Sequence, residues 1–80
     1  MQTITVKYFA QLRSKRGLSE ESLTTEATTP ETLYTELSNT HGFEMRQALL
    51  RVSVNAAFVS WDHSLKDGDV VVFIPPVAGG

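Results

Sequence analysis

The five residues Val70-Val71-Val72-Phe73-Ile74 are apolar at every position. A strand written this way offers apolar side chains to both faces, as expected of a strand at the centre of a sheet. It is also almost the last thing in the sequence. Pro75 and Pro76 come directly after it, and because they lack the amide that a ladder requires they stop the strand there. Any fold open to this chain must bring earlier strands to both edges of its final one.

The earlier strands are found by alternation. In residues 2–9, Ile4, Val6 and Tyr8 share one face, and Thr3, Thr5, Lys7 and Phe9 share the other, which predicts a half-buried strand. Residues 10–16 hold helix formers closed by Gly17, and Ser22 to Glu26 forms a second strand. The clearest helix begins at Thr29-Pro30: Thr29 accepts a bond from an orphan amide, and Pro30 suits the first helical position, where its missing N–H has no partner. Leu33 and Leu37 align one turn apart, and Gly42 stops the helix. Beyond a short helical stretch at 44–49, residues 51–54 alternate again, Asn55-Ala56 turns, and 57–60 returns as strand. Asp67-Gly68-Asp69 supplies the turn into the final strand.

Hairpin, helix, strands and a final central strand make an α+β chain. First and last strands become neighbours only if the helix packs across the sheet, which is the β-grasp, with a mixed four- to five-stranded sheet on one main helix. The competing ferredoxin-like arrangement wants a second full helix, for which residues 43–50 are a thin candidate. The domain spans residues 1–74, and 75–80 form an extended tail.

Composition removes several functions. Seven Lys and Arg against nine Asp and Glu leave a net charge of −2, so there is no broad attraction to nucleic acid or anionic lipid. No apolar run approaches the roughly 20 residues of a membrane span. The absence of cysteine removes disulfides, thiolate metal sites and a thiol nucleophile, and the N-terminus lacks the pattern of a signal peptide, so a cytoplasmic location is expected. His41 and His63 have no second ligand at helical spacing, and no metal site is expected. Asp62, Asp67 and Asp69 are read as turn residues because the remaining ligands of a calcium loop are missing. Ser60 and Ser64 carry no nucleophile signature. Arg13, Lys15 and Arg16 form a basic cluster, either a solvated helix face or an interface rim. No catalytic constellation of side chains emerges.

The tail Pro75-Pro76-Val77-Ala78-Gly79-Gly80 remains. Its prolines hold φ near −65° and project the residues beyond them as a stiff rod with little entropy left to lose on docking. Gly79 and Gly80 have no Cβ, so a narrow channel can close around their backbone, and the carboxylate of Gly80 arrives with no side chain beside it. The reactive group is then the chain end itself. A carboxylate resists nucleophiles until its oxygen becomes a leaving group, as in an acyl adenylate. The chain has no phosphate-binding loop, so that activation belongs to a partner.

The ending Phe73 to Gly80, with Asp62-His63-Ser64-Leu65-Lys66-Asp67-Gly68-Asp69, Val54-Asn55 and Phe9-Ala10-Gln11-Leu12-Arg13, closely resembles the MoaD/ThiS family, and within it the MoaD-type sulfur carriers that are small subunits of molybdopterin synthase. Ile74 stands where those carriers more usually have phenylalanine, which keeps the surface apolar. The resemblance implies that an E1-like adenylating enzyme uses ATP to activate Gly80 and that a sulfur donor converts it to a thiocarboxylate. The tail then delivers sulfur to cyclic pyranopterin monophosphate inside the large subunit, in a heterotetramer of two small and two large subunits. No cofactor is stably bound to the chain itself. A bare Gly-Gly ending also fits carriers of other pathways, such as thiamine synthesis, and ubiquitin-like modifiers.

Phe9 falls on the polar face of the first strand, Phe58 lies opposite Val59 in its own, and Ile74 leads into the tail. Exposed apolar side chains beside a functional tail mark a partner interface. The competing reading is a parity error of one residue, which would turn all three into the core.

Overall fold

The structure is a computed structural model that describes residues 1–76. The described strands and helices are β1 (Gln2–Tyr8), α1 (Ala10–Arg16), β2 (Glu20–Thr25), α2 (Pro30–His41), β3 (Arg51–Val54), β4 (Ala57–Phe58) and β5 (Val70–Ile74), with a 3-10 turn at Gln47–Leu49. The sheet runs β2-β1-β5-β3-β4. β5 is therefore central, parallel to β1 and antiparallel to β3, while β1–β2 and β3–β4 are antiparallel pairs. A parallel neighbour requires a crossover, and α2 provides it.

The parity of β1 is the one expected: Ile4 and Val6 are fully buried and Tyr8 nearly so, while Thr3 is exposed and Thr5 and Lys7 are half-buried. The strand ends at Tyr8, one residue early. Phe9 keeps an extended backbone but serves as the N-cap of α1, and Ala10 turns the chain with a φ of 50°. Val71 and Phe73 of β5 reach the core, packed with Leu33, Tyr34 and Leu37 of α2. Val70, Val72 and Ile74 are only half-buried, so the run that is apolar on both faces is covered by helix on one face alone.

α2 starts as its sequence dictates. The Thr29 side chain accepts from the Thr32 amide while the Thr32 hydroxyl accepts from the Thr29 amide, both at 3.2 Å. Gly42, at a φ of 71°, ends it by donating to the Ser38 carbonyl.

Other boundaries also differ from expectation. β2 begins at Glu20, because Glu20 and Glu21 pair with Lys7 and Val6 and the Glu21 carboxylate is bound from both sides. Tyr8 Oη donates to it at 2.6 Å and the Arg16 guanidinium grips it through two bonds of 2.8 and 2.9 Å. Residues 44–49 hold only the 3-10 turn, since Phe43 drops into the core and the Tyr34 hydroxyl donates to the Met45 carbonyl at 2.6 Å. β4 stops at Phe58 rather than residue 60, as Trp61 swings back to stack on Phe73 with ring planes 10° apart and centroids 5.9 Å apart.

The turn joining β3 and β4 places Asn55 and Ala56 at φ of 52° and 71°, both left-handed, as a two-residue hairpin demands. Asn55 Oδ1 accepts from the Val70 amide at 3.0 Å, and its Nδ2 donates to Asp69 at 2.9 Å. Asp69 also accepts from the Lys66 amide, and Asp67 from the Thr3 amide, so these aspartates act as turn residues. Asn55→Ala removes both side-chain bonds and leaves a Cβ residue without local support at positive φ. The expected result is a loss of about 1–2 kcal/mol, because the site is partly wet. A urea midpoint within error of the wild type would show that the turn does not depend on this side chain.

Candidate functional site

The candidate site lies on the sheet face that α2 leaves uncovered. Phe58 is 65% exposed and Phe9 48%, which excludes the one-residue parity error, and Ile74 is half-buried on the same face. The register explains the grouping. Ile74 lies opposite Arg51, while Val72 lies opposite Ser53, itself opposite Phe58. The Arg51 guanidinium carbon sits 5.7 Å from the centroid of the Phe58 ring, so this cation links the edge strand to the central one.

Phe9 joins from the other side. With Ala10, Lys15, Ile74, Pro75 and Pro76 it lines an open groove of about 920 Å³ between α1 and the end of β5. The structure thus brings Phe9 and Ile74 to one groove and leaves Phe58 two strands from β5, reached through Arg51. The position of α1 along this groove is held by the Arg16–Glu21–Tyr8 network. The bonds from Arg16 hold the Glu21 carboxyl below the usual carboxylate range, and burial, reinforced by Glu21, pushes the Tyr8 phenol up. Of the basic cluster, Arg16 is therefore committed to an ion pair, Lys15 lines the groove, and Arg13 is exposed.

Pro75, read from the sequence as part of the projecting tail, is buried, and Pro76 is the first exposed tail residue. A proline ends the ladder by lacking an amide, but its ring still packs as an apolar group. Val77, Ala78, Gly79 and Gly80, the remaining tail residues of the sequence reading, lie outside the described residues. Among the described residues no group of three or more His, Cys, Asp or Glu side chains is placed to hold a metal ion, and no helix is long and apolar enough to cross a membrane. His41 packs against Phe43, with ring centroids 5.9 Å apart.

Sequence reasoning missed Arg51 and Glu21. Alternation put Arg51 on a strand, but only the pairing of β3 with β5 sets it beside Ile74. The spacing of five from Arg16 to Glu21 across a turn was the available signal for the other.

Comparison with known proteins shows the family of the chain. The model of the ThiS family matches residues 6–80. The chain belongs to the ThiS family. Its relatives in that family include the molybdopterin synthase sulfur carrier subunit of Escherichia coli strain K12, 36% identical over 80 residues that cover 96% of this chain and 99% of the relative. Among solved structures, a putative molybdopterin converting factor subunit 1 from Pyrococcus furiosus is 34% identical, with a TM-score of 0.77 over 96% of this chain and all of that one. Subunit 1 in a complex of subunits 1 and 2 of molybdopterin-converting factor from Helicobacter pylori superposes with a TM-score of 0.70. That match covers 99% of this chain and all of the other, and at 22% identity it is a likeness of fold. The ubiquitin-like β-grasp expected from the sequence is the fold that this chain shares with these structures.

Proposed function

We propose that this chain is a sulfur carrier of molybdopterin synthesis, the small subunit that brings sulfur to the synthase on its own C-terminal glycine. The observation that carries this reading is the 36% identity, over nearly the whole of both chains, to a sulfur carrier subunit of molybdopterin synthase. The geometry supports it by placing an exposed apolar face at the root of the tail.

The chemistry is dictated by the inertness of a carboxylate. An oxygen of the Gly80 carboxylate attacks the α-phosphorus of ATP on an E1-like adenylating enzyme, and pyrophosphate leaves. A sulfide equivalent from a sulfur donor then attacks the acyl carbon, AMP departs with the carboxyl oxygen, and a thiocarboxylate remains. The large subunit supplies the catalytic side chains that move this sulfur to cyclic pyranopterin monophosphate. A dithiolene holds two sulfurs, so each product consumes two loaded carriers. Each thiocarboxylate sulfur displaces an oxygen substituent of the precursor to form a thioester, and water cleaving the acyl–sulfur bond leaves the sulfur on the product and returns the carrier as the carboxylate. Two small and two large subunits form the working heterotetramer, in the cytoplasm, and the small subunit holds no cofactor of its own.

The reach of the tail fits this division of labour. Five residues from Pro76 to Gly80 extend at most about 17 Å. Docking through Phe9, Phe58 and Ile74 therefore leaves the acyl carbon able to enter a pocket well inside a partner. Val77, Ala78 and Gly79 would occupy the channel behind it, with Pro76 at its mouth and the buried Pro75 fixing the direction of exit.

Intact mass spectrometry after incubation with ATP, a sulfide source and host extract tests the proposal. The expected result is a mass gain equal to replacing one oxygen by sulfur, localised to Gly80. No change at the C-terminus, in an extract that loads the Escherichia coli relative, would overturn it. Conjugates of higher mass linked to lysines would mark a protein modifier instead.

A further inference from the structure

Any partner that buries both Phe58 and Ile74 must also cover the side chain between them, Arg51. Its register partner is Ile74, and its guanidinium lies over the Phe58 ring. β1, β5, β3 and β4 carry two cations, Lys7 and Arg51, and no carboxylate. The two cations differ. Lys7 lies opposite Glu20 of β2, so a counter-charge is at hand. Arg51 has no ion pair and no hydrogen-bond acceptor among the described residues, where the one salt bridge is Arg16–Glu21.

A guanidinium keeps its charge under all ordinary conditions. Covering it without an anion strands a desolvated charge at the centre of the contact, which opposes association. The aromatic ring beneath it restricts its position, which suits a planar, two-bond grip on a carboxylate. We infer that the sulfur-accepting large subunit presents an Asp or Glu carboxylate to Arg51, flanked by apolar contacts to Phe58 and Ile74. Arg51 is thus the ionic anchor of the docking face, and the acidic group opposite is what selects this small subunit. The identity of the partner rests on the proposed function, whereas the need for an anion rests on the face itself.

Calorimetric titration of this chain into the large subunit of its own organism, at low and at high salt, separates the two. Wild type is expected to bind, more weakly as salt rises. Arg51→Gln is expected to lose about 10–100-fold in affinity at low salt and most of the salt dependence, and Arg51→Glu more still. Phe9→Asp, which tests the docking face on the far side of the groove from the cation, is expected to abolish the complex, and thermal melts confirm that each variant is folded. Loss of binding in Phe9→Asp with Arg51→Gln unchanged in affinity and salt dependence overturns the anchor and leaves the carrier reading standing. Failure of the wild type to bind overturns both.

Discussion

Phe73→Ala is expected to lower the stability of the domain by about 3–5 kcal/mol, against a total of roughly 4–12 kcal/mol for a chain of 80 residues. Few positions carry so much. Phe73 is fully buried on the central strand, opposite Val52 on one side and beside Tyr8 on the other. Its ring meets Tyr34 of α2 at a centroid distance of 5.2 Å and Trp61 at 5.9 Å. Truncation would open a void beside rings held by other contacts: Tyr34 is fixed through its bond to the Met45 carbonyl and its packing on Phe43. Such a cavity collapses poorly, which places the loss toward the upper end of the range. Val72→Ala is the comparison that tests sidedness. Val72 is adjacent in sequence, half-buried on the open face, and expected to cost about 1 kcal/mol or less. Urea denaturation followed by circular dichroism reads both, and equal losses would mean that the sheet is not one-sided.

That one-sidedness also decides how much could be read without a structure. Alternation in β1 is a local property, and Ile4, Val6 and Tyr8 were legible as the core face because period two survives any tertiary context. The start and stop of α2 were legible for the same reason, since Thr29, Pro30 and Gly42 act on groups within a turn of themselves. Features fixed by distant partners were not. Glutamates at 20 and 21 read poorly as strand, and they pair because Arg16 and Tyr8 bind the carboxylate of Glu21. Trp61 cuts β4 short by stacking on Phe73, well beyond it in the chain. In the site, the exposure of Phe9 and Phe58 followed from parity alone. The role of Arg51 did not, because its neighbour Ile74 is set by a strand pairing with a long connection between. Burial of Pro75 was also hidden, as proline signals the end of hydrogen bonding and says nothing about packing of its ring.

Deletion of Gly80 is expected to abolish sulfur transfer while leaving both the fold and the docking contact intact. A glycine has no side chain to bury, and the core of the described residues runs from Ile4 to Phe73, so stability should stay within about 0.5 kcal/mol of the wild type. Phe9, Phe58, Ile74 and Arg51 are untouched, so affinity for the large subunit should change only a few-fold. The loss is one of position. Gly79 becomes the new terminus, still a glycine with a carboxylate, but the acyl carbon now falls short by about 3.5 Å. A displacement of about 1 Å can reduce a rate about 100-fold, so turnover several ångströms out of register should fall below detection. Gly80→Ala keeps the length and adds a single Cβ, so it separates reach from channel width: a partial defect there, beside a complete one in the deletion, is the pattern a narrow channel of fixed depth imposes. The assay is product formation with purified large subunit and chemically thiocarboxylated small subunit, which bypasses the adenylating enzyme. Activity surviving the deletion would mean that the channel tolerates slack. A stability loss above about 1 kcal/mol would instead place Gly80 in the fold and remove the case for the chain end as the reagent.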